Sequence, residues 1–502
     1  MSGLPASEPE ATPVDPTGRT PLRPTQGQEA RRYRNVAGAM VALVSLVAFE
    51  ALAVSTAMPV VAERLNGLRS YGLAFSLFLT MSMLGTVVAG GWCDSRGPRW
   101  PVVWGMVLFG GGLVVSGLAL TFPVLLLGRV VSGVGGGFLI VSLYVVIAAV
   151  YPESLRPRVF GWISAAWVVP SLVGPAVGGW LVTAASWRWV FLGVPPLLLL
   201  VAAGLLPTVW RLVPQVAGAG ERRASKRNAL TGLGLAAGAA GLQWGTQELE
   251  PPTVASVSAI VAGGVAVAVC LPRLLPPGTL RAAEGLPAVI AVRGLIGACF
   301  FGAETFVPLM LVNEQDLSPA VAGLALTGGA VGWFGGAWIQ SRPQLTMPRY
   351  RFLSQGAALV TLCSAVLPLM LPGALPALLV APVWFVAGLG MGLALSTTSV
   401  LVLSYSGPGE EGRNSAALQV SDALGSVVGI GAAGAVFAAL HTAPGHDGPV
   451  FAVIWWGLAV VGLVAVLVGR RGGQPDAGSA GSTRLRRRRP HRRGTPTDLL
   501  AP

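Results

Sequence analysis

Charge is what this sequence has least of. Across 502 residues only 11% are Asp, Glu, Lys or Arg, while 53% are hydrophobic, a balance that excludes a string of ordinary soluble domains. Cysteine is scarce as well. Cys93, Cys270, Cys299 and Cys363 fall in or at the ends of apolar runs without metal-ligand spacing, so buried thiols are expected and no disulfide framework or metal site. His441, His446 and His491 are too few and too scattered to build a site together. The glycine cluster GVGGG at 133–137 lacks a following Lys-Ser/Thr pair and follows an apolar span, which excludes nucleotide binding. Residues 1–30 are polar and proline-rich with no apolar core, so a disordered segment and no cleavable signal peptide are expected.

What the chain has in abundance is apolar runs near the ~20 residues that cross a hydrocarbon core as a helix. Fourteen are expected, at 36–58, 71–93, 101–121, 123–150, 159–183, 188–209, 228–247, 254–272, 285–311, 318–340, 352–373, 375–405, 415–440 and 448–469. The formal charge of +13 lies in short clusters between these runs, which is the distribution that orients a membrane protein; a nucleic-acid partner is not expected. Arg31, Arg32 and Arg34 precede the first run, and Arg96, Arg99, Arg156, Arg158, Arg211, Arg222, Arg223, Lys226 and Arg227 follow the second, fourth and sixth. The alternate loops hold few bases and the acids Glu248, Glu250, Glu314 and Asp316. Both termini are therefore expected in the cytoplasm. The basic tail around Arg484–Arg493 reads as disordered, with contact to anionic lipid as the lesser alternative.

The stretch 133–179 lies without a gap on 388–434 when moved forward by 255 residues, with nine identities in 47 positions. Gly133, Gly135 and Gly137 fall on Gly388, Gly390 and Gly392, Arg158 on Arg413, Gly174 on Gly429 and Gly179 on Gly434. Such a parallel repeat builds transporters whose two halves rock about a site near the midplane. The expected fold is an all-α polytopic membrane protein. Its expected parts are a disordered tail 1–34, a six-helix bundle 35–212, a linker and inserted hairpin 213–280 (spans 7 and 8), a second six-helix bundle 281–470, and a basic disordered tail 471–502.

Three acids sit inside apolar helices: Glu50 in span 1, Glu304 in span 9 and Asp422 in span 13. Each costs about 2.5–3.5 kcal/mol at a helix centre on insertion scales, so each is a candidate proton carrier, against the structural alternative of a carboxyl paired for helix packing. Arg129, several residues into span 4, is the matching cation. Asp94 at the end of span 2, with Gly97 and Arg99 in the turn GGWCDSRGPRW (90–100), is a candidate latch on the cytoplasmic side. In span 5, Pro170 and Pro175 bend the helix while Gly174, Gly178 and Gly179 let a neighbour approach. Ser55, Trp167, Trp333, Gln419 and Ser421 are candidates for a substrate cavity, the tryptophans having faces suited to apolar or cationic ligands.

These motifs together resemble the major facilitator superfamily, and within it the 14-span drug:proton antiporters. GGWCDSRGPR resembles the family's loop 2–3 motif, with Ser95 and Pro98 where basic residues are usual. Arg129 with VVSGVGGG resembles the span-4 motif. VPSLVGPAVGG resembles the span-5 antiporter motif, with Pro170 in place of glycine. FEALAVSTAMP resembles the span-1 motif, with Glu50 for the usual aspartate and Ser55 for asparagine. SWRWVF (186–191) resembles the start of span 6. The resemblance implies efflux of small amphipathic compounds across the plasma membrane, driven by protons, with no enzymatic activity and no cofactor beyond the coupling proton. A monomer in the lipid bilayer is the expected working unit. The alternatives are a carrier of sugar, amino acid or lipid with the same fold, or a non-transporting receptor.

Overall fold

The structure is a computed structural model. It describes residues 26–152, 155, 159, 162–163, 165–212, 222–247, 253–342, 348–371, 376–407 and 410–473. The segments 1–25, 213–221 and 474–502, the bases Arg156 and Arg158, and the side chain of Asp94 lie outside the described residues.

Among the described residues all regular structure is helical. The long helices are α1 (Gln26–Arg64), α2 (Tyr71–Arg96), α3 (Arg99–Gly117), α4 (Phe122–Val150), α5 (Val168–Ala184), α6 (Val194–Leu212, entered through a short helix Arg188–Leu192) and α7 (Arg222–Gln247). They continue with α8 (Val254–Leu274), α9 (Leu286–Asn313), α10 (Pro319–Gln340), α11 (Arg349–Val366), α12 (Val380–Tyr405), α13 (Glu411–Leu440) and α14 (Gly448–Gly469). Twelve of the helical segments are long and apolar enough to cross a membrane by length and composition. That is two fewer than the fourteen runs of the sequence. Helix α5 is apolar but only 17 residues long, and α7 spends its first turns on Arg222, Arg223, Lys226 and Arg227. Helix α1 begins at Gln26, inside the segment expected as tail.

Small residues decide where these helices touch. Added Cβ atoms on Gly133 and Gly137 of α4 would stand 2.5 and 2.0 Å from the Phe78 and Ser82 carbonyl oxygens of α2. Their repeat counterparts Gly388 and Gly392 of α12 meet the Gly329 and Trp333 carbonyls of α10 at 1.8 and 2.0 Å. Backbone contact of this kind replaces the hydrophobic drive that lipid removes. Within the first six helices α4 packs on α2 and α3, and α1 on α5; within the last six α12 packs on α10 and α11, and α9 on α13. Across the molecule α5 packs on α10 and α2 on α13, while α7 lies on α8 and touches both α2 and α13.

The closest approaches between the two sets of six lie at the end that carries the α1–α2 turn. There a Cβ on Gly72 would stand 2.9 Å from the Gly434 Cα, and one on Gly323 would stand 2.7 Å from Thr56 Cγ2. The Tyr71 hydroxyl donates to the Thr305 carbonyl at 3.0 Å, and its ring packs on Phe306, which in turn packs on Phe437. Phe437 stacks on His441, whose Nδ1 lies 2.6 Å from a carboxylate oxygen of buried Asp447. Toward the opposite end, Gly38, Gly90, Gly91 and Gly335 would meet nothing within 4 Å of an added Cβ.

Candidate functional site

Arg129 is held on three sides. Its Nη1 donates to Glu50 Oε1 of α1, its Nε donates to the Ala74 carbonyl of α2 at 2.9 Å, and its guanidinium lies 4.3 Å from the Phe78 ring centroid. Glu50 is fully buried and Arg129 is 2% exposed, so a carboxyl and a guanidinium share one buried site in the first six helices. The pairing is incomplete, because Glu50 Oε2 has no hydrogen-bond partner. Two charges withdrawn from water cost several kcal/mol each unless they are well paired. This site therefore binds α1, α2 and α4 by a contact whose strength depends on the charge of one carboxyl.

The other two acids are elsewhere. Asp422 on α13 accepts from Arg293 Nη2 of α9 at 3.0 Å. A second approach, Arg293 Nε to Asp422 Oδ1 at 2.9 Å, is a close ion-pair contact whose alignment does not make a hydrogen bond. Arg293 Nη1 also donates to Thr398 Oγ1 and the Leu395 carbonyl of α12 at 3.1 and 3.2 Å. Sequence reasoning missed Arg293. Its signal was the one used for Arg129, a lone arginine seven residues inside an apolar helix. Glu304, the repeat counterpart of Glu50, has no ion-pair partner among the described residues. It is half-buried and lies against the indole of Trp384.

The four groups read as a coupling set are thus three separate sites, Glu50 with Arg129, Asp422 with Arg293, and Glu304 with Trp384. Gly97 closes α2 with φ of 78° and its N–H on the Cys93 carbonyl, which suits glycine. Arg99 lies 5.5 Å from the Trp210 ring centroid of α6. Pro175 lies inside α5 and Pro170 is buried near its start. Gly174 and Gly178 face α1, where added Cβ atoms would stand 3.3 Å from Leu52 Cβ and 2.9 Å from Ala53 Cα, and Gly179 faces Ala320 of α10. The span-5 glycines therefore sit at the joined end. Ser55 is half-buried, Trp167 and Gln419 are exposed, and Trp333 is half-buried among aromatics. The hydroxyl of buried Ser421 donates to the Ile290 carbonyl at 2.7 Å.

The model of the Major Facilitator Superfamily matches residues 39–430. The chain belongs to the Major Facilitator Superfamily. A relative described as a probable multidrug-efflux transporter, from Mycobacterium tuberculosis, is 26% identical over 435 residues, covering 83% of this chain and 89% of that protein. The multidrug efflux pump SdrM of Staphylococcus aureus is 24% identical over 384 residues, 74% of this chain and 82% of the pump. Among solved structures, a POT family transporter in complex with 5-aminolevulinic acid superposes with a TM-score of 0.65 at 13% identity, over 87% of this chain and 96% of that one. A peptide transporter POT in complex with sulfate gives 0.63 at 16% identity, over 86% and 95%. At that identity the likeness is one of fold. This superfamily member is a multi-pass membrane transporter, not an enzyme, and its buried charges are to be read as parts of a carrier.

Proposed function

We propose that the chain is a proton-coupled antiporter of the plasma membrane that exports small amphipathic compounds by alternating access. It works as a monomer, with the proton as coupling ion and no bound cofactor. Fourteen spans are part of this reading: α5 lies along α1 and α10, and α7 along α2, α8 and α13, so both share the layer of their spanning neighbours, with α7–α8 as an inserted pair. The arginine distribution puts both termini in the cytoplasm, which makes the joined end the extracellular one.

The observation that carries the reading is the buried Glu50–Arg129 pair. A proton on Glu50 removes the charge that holds Arg129 to α1, while Arg129 keeps its bond to Ala74 of α2. One turn along α1 from Glu50 is Ala53, which seats Gly178, and the next residue, Gly179, seats on Ala320. Loosening α1 therefore reaches the contact between α5 and α10 that joins the extracellular end. The two efflux relatives support a drug-like substrate.

Glu50→Gln keeps the volume and still accepts from Arg129, but it cannot change charge. In proteoliposomes, ethidium accumulation driven by a pH gradient should fall at least tenfold while ethidium exchange down its own gradient persists. Accumulation at the parent rate would remove Glu50 from the coupling step.

A further inference from the structure

At the joined end a base and an acid face each other across the α13–α14 turn. His441 ends α13, its N–H on the Phe437 carbonyl at 2.8 Å, and Asp447 begins α14, its carbonyl accepting from the Phe451 N–H at 3.0 Å. A cation at a helix C-terminus and an anion at a helix N-terminus are each favoured by the helix dipole. His441 Nδ1 lies 2.6 Å from Asp447 Oδ2, and the Thr442 N–H donates to Asp447 Oδ1 at 3.1 Å. An ionised carboxylate only accepts, so the ring nitrogen is the donor, in the neutral Nδ1–H tautomer or in the imidazolium. The Asp447 N–H donates in turn to Glu314 Oε1 at the end of α9, at 3.0 Å. The Asp447 side chain is fully buried and that of His441 is 10% exposed.

This clasp stands directly behind the contact between the two halves. Gly434, Phe437 and His441 follow one another at spacings of three and four, so they share one face of α13. Gly434 seats Gly72 of α2. Phe437 packs on Phe306 of α9, and Phe306 packs on Tyr71 of α2. The His441 ring stacks on Phe437 with centroids 5.0 Å apart, and Phe451 of α14 meets Phe437 at 5.7 Å. The charges around the clasp are unequal. Asp447 and Glu314 are two acids, and among the described residues His441 is the one base bonded to either. From α2 comes the Tyr71 phenol, which donates to the Thr305 carbonyl. The 3-10 turn Leu68–Ser70, packed on α13, carries Arg69, which is exposed. Asp316 and His446 are exposed as well, the His446 Nδ1 lying 3.4 Å from the Pro444 carbonyl. A proton on His441 therefore supplies the countercharge of a buried carboxylate that has a second carboxylate beside it. Once this end opens to water the same countercharge is worth less, because water screens the acids. Protonation thus favours the joined arrangement.

We propose that His441 and Asp447 are positioning residues of the transport cycle: they hold Phe437 and Gly434 in place for α2, and protonation of His441 keeps the extracellular end joined. The proposal rests on the alternating-access reading above but not on Glu50. Its test therefore uses the full-length protein carrying Glu50→Gln throughout, so a failure of the coupling reading leaves it intact. Leu120→Cys on the α3–α4 turn and Leu378→Cys on the α11–α12 turn, both exposed, would carry spin labels. Cys270→Ser removes the one partly accessible native thiol. In lipid nanodiscs, double electron–electron resonance would read the distance across the joined end at about pH 5.5 and about pH 8, on either side of the ordinary imidazole range.

The ratio of short to long distances should be at least threefold higher at the lower pH. Adding His441→Gln, which can still donate a hydrogen bond but does not titrate, should abolish that response. His441→Arg is planar and charged at both pH values, so it can stack on Phe437 and pair with Asp447. It should show at the higher pH the short-distance population that the histidine protein shows at the lower. It also serves as the informative variant if the Gln protein does not fold. A pH response that survives His441→Gln would overturn the proposal. So would the absence of any response in the protein that keeps His441, or a His441→Arg protein that opens on raising the pH as the histidine protein does.

Discussion

Gly179 of α5 approaches Ala320 of α10 so closely that a Cβ on the glycine would stand 2.3 Å from the Ala320 Cα. No side chain fits that gap, and the neighbour is backbone, which cannot rotate aside. The contact joins the two sets of six helices at the end where the α1–α2 turn lies. Gly179→Val should therefore disfavour the joined arrangement, at an overpacking cost of about 1–3 kcal/mol. Transport in proteoliposomes should fall at least tenfold while the protein stays folded. Parent-like transport would show that the contact is dispensable.

The proposed orientation rests on arginine placement and is checked by labelling. With Cys270, the one partly accessible native cysteine, changed to Ser, Ala443→Cys should react in whole cells with a thiol reagent that cannot cross the membrane. Ser225→Cys and Leu345→Cys should react only after the cells are opened. The reverse pattern would invert the topology.

Arg293 joins α9, α12 and α13 through Asp422, Thr398 and Leu395. Removing one partner strands the other charge, which for buried pairs costs about 3–5 kcal/mol; Asp422 keeps 21% of its side chain accessible, so the lower part of that range is expected. Arg293→Leu and Asp422→Leu should each lower the thermal midpoint in detergent by several degrees. The double variant should recover part of the loss. Additive losses in such a double-mutant cycle would show that the two residues do not act as a pair.

Gln243 of α7 reaches both sets of six. Its amide donates to Thr80 Oγ1 of α2 at 3.2 Å and to the Val427 carbonyl of α13 at 3.4 Å. In the proposed alternating-access cycle α2 and α13 shift against each other, so this bridge would be remade in each cycle. Gln243→Leu keeps the bulk and removes both bonds, leaving the buried Thr80 hydroxyl without its amide partner at a cost of about 1–3 kcal/mol. Turnover should change severalfold while equilibrium binding of substrate stays within twofold. A change confined to binding would assign Gln243 to the substrate site.

Much of this protein is decided along the chain. Continuous apolar runs near ~20 residues fix helices that cross a membrane, because a lone segment in lipid satisfies its backbone within itself only as a helix. Glycine spacing in 133–137 and 388–392 fixes which helix faces admit a neighbour's backbone, and both clusters do so in the fold. The cost of charge in hydrocarbon singled out Glu50, Arg129, Glu304 and Asp422 before any partner was known. The partners were another matter. Glu50 meets Arg129, and Asp422 meets Arg293, across 79 and 129 residues of chain. Which cation lies by which acid depends on helix rotation and depth, and helices packed on nearly uniform Gly, Ala, Val and Leu surfaces reveal neither in their sequence. For the same reason Ser421, legible as a cavity residue, spends its hydroxyl on the Ile290 carbonyl. Trp384 could be numbered against Arg129 from the repeat, but only the packed structure puts its indole beside Glu304, because contact between two side chains is a property of the tertiary fold.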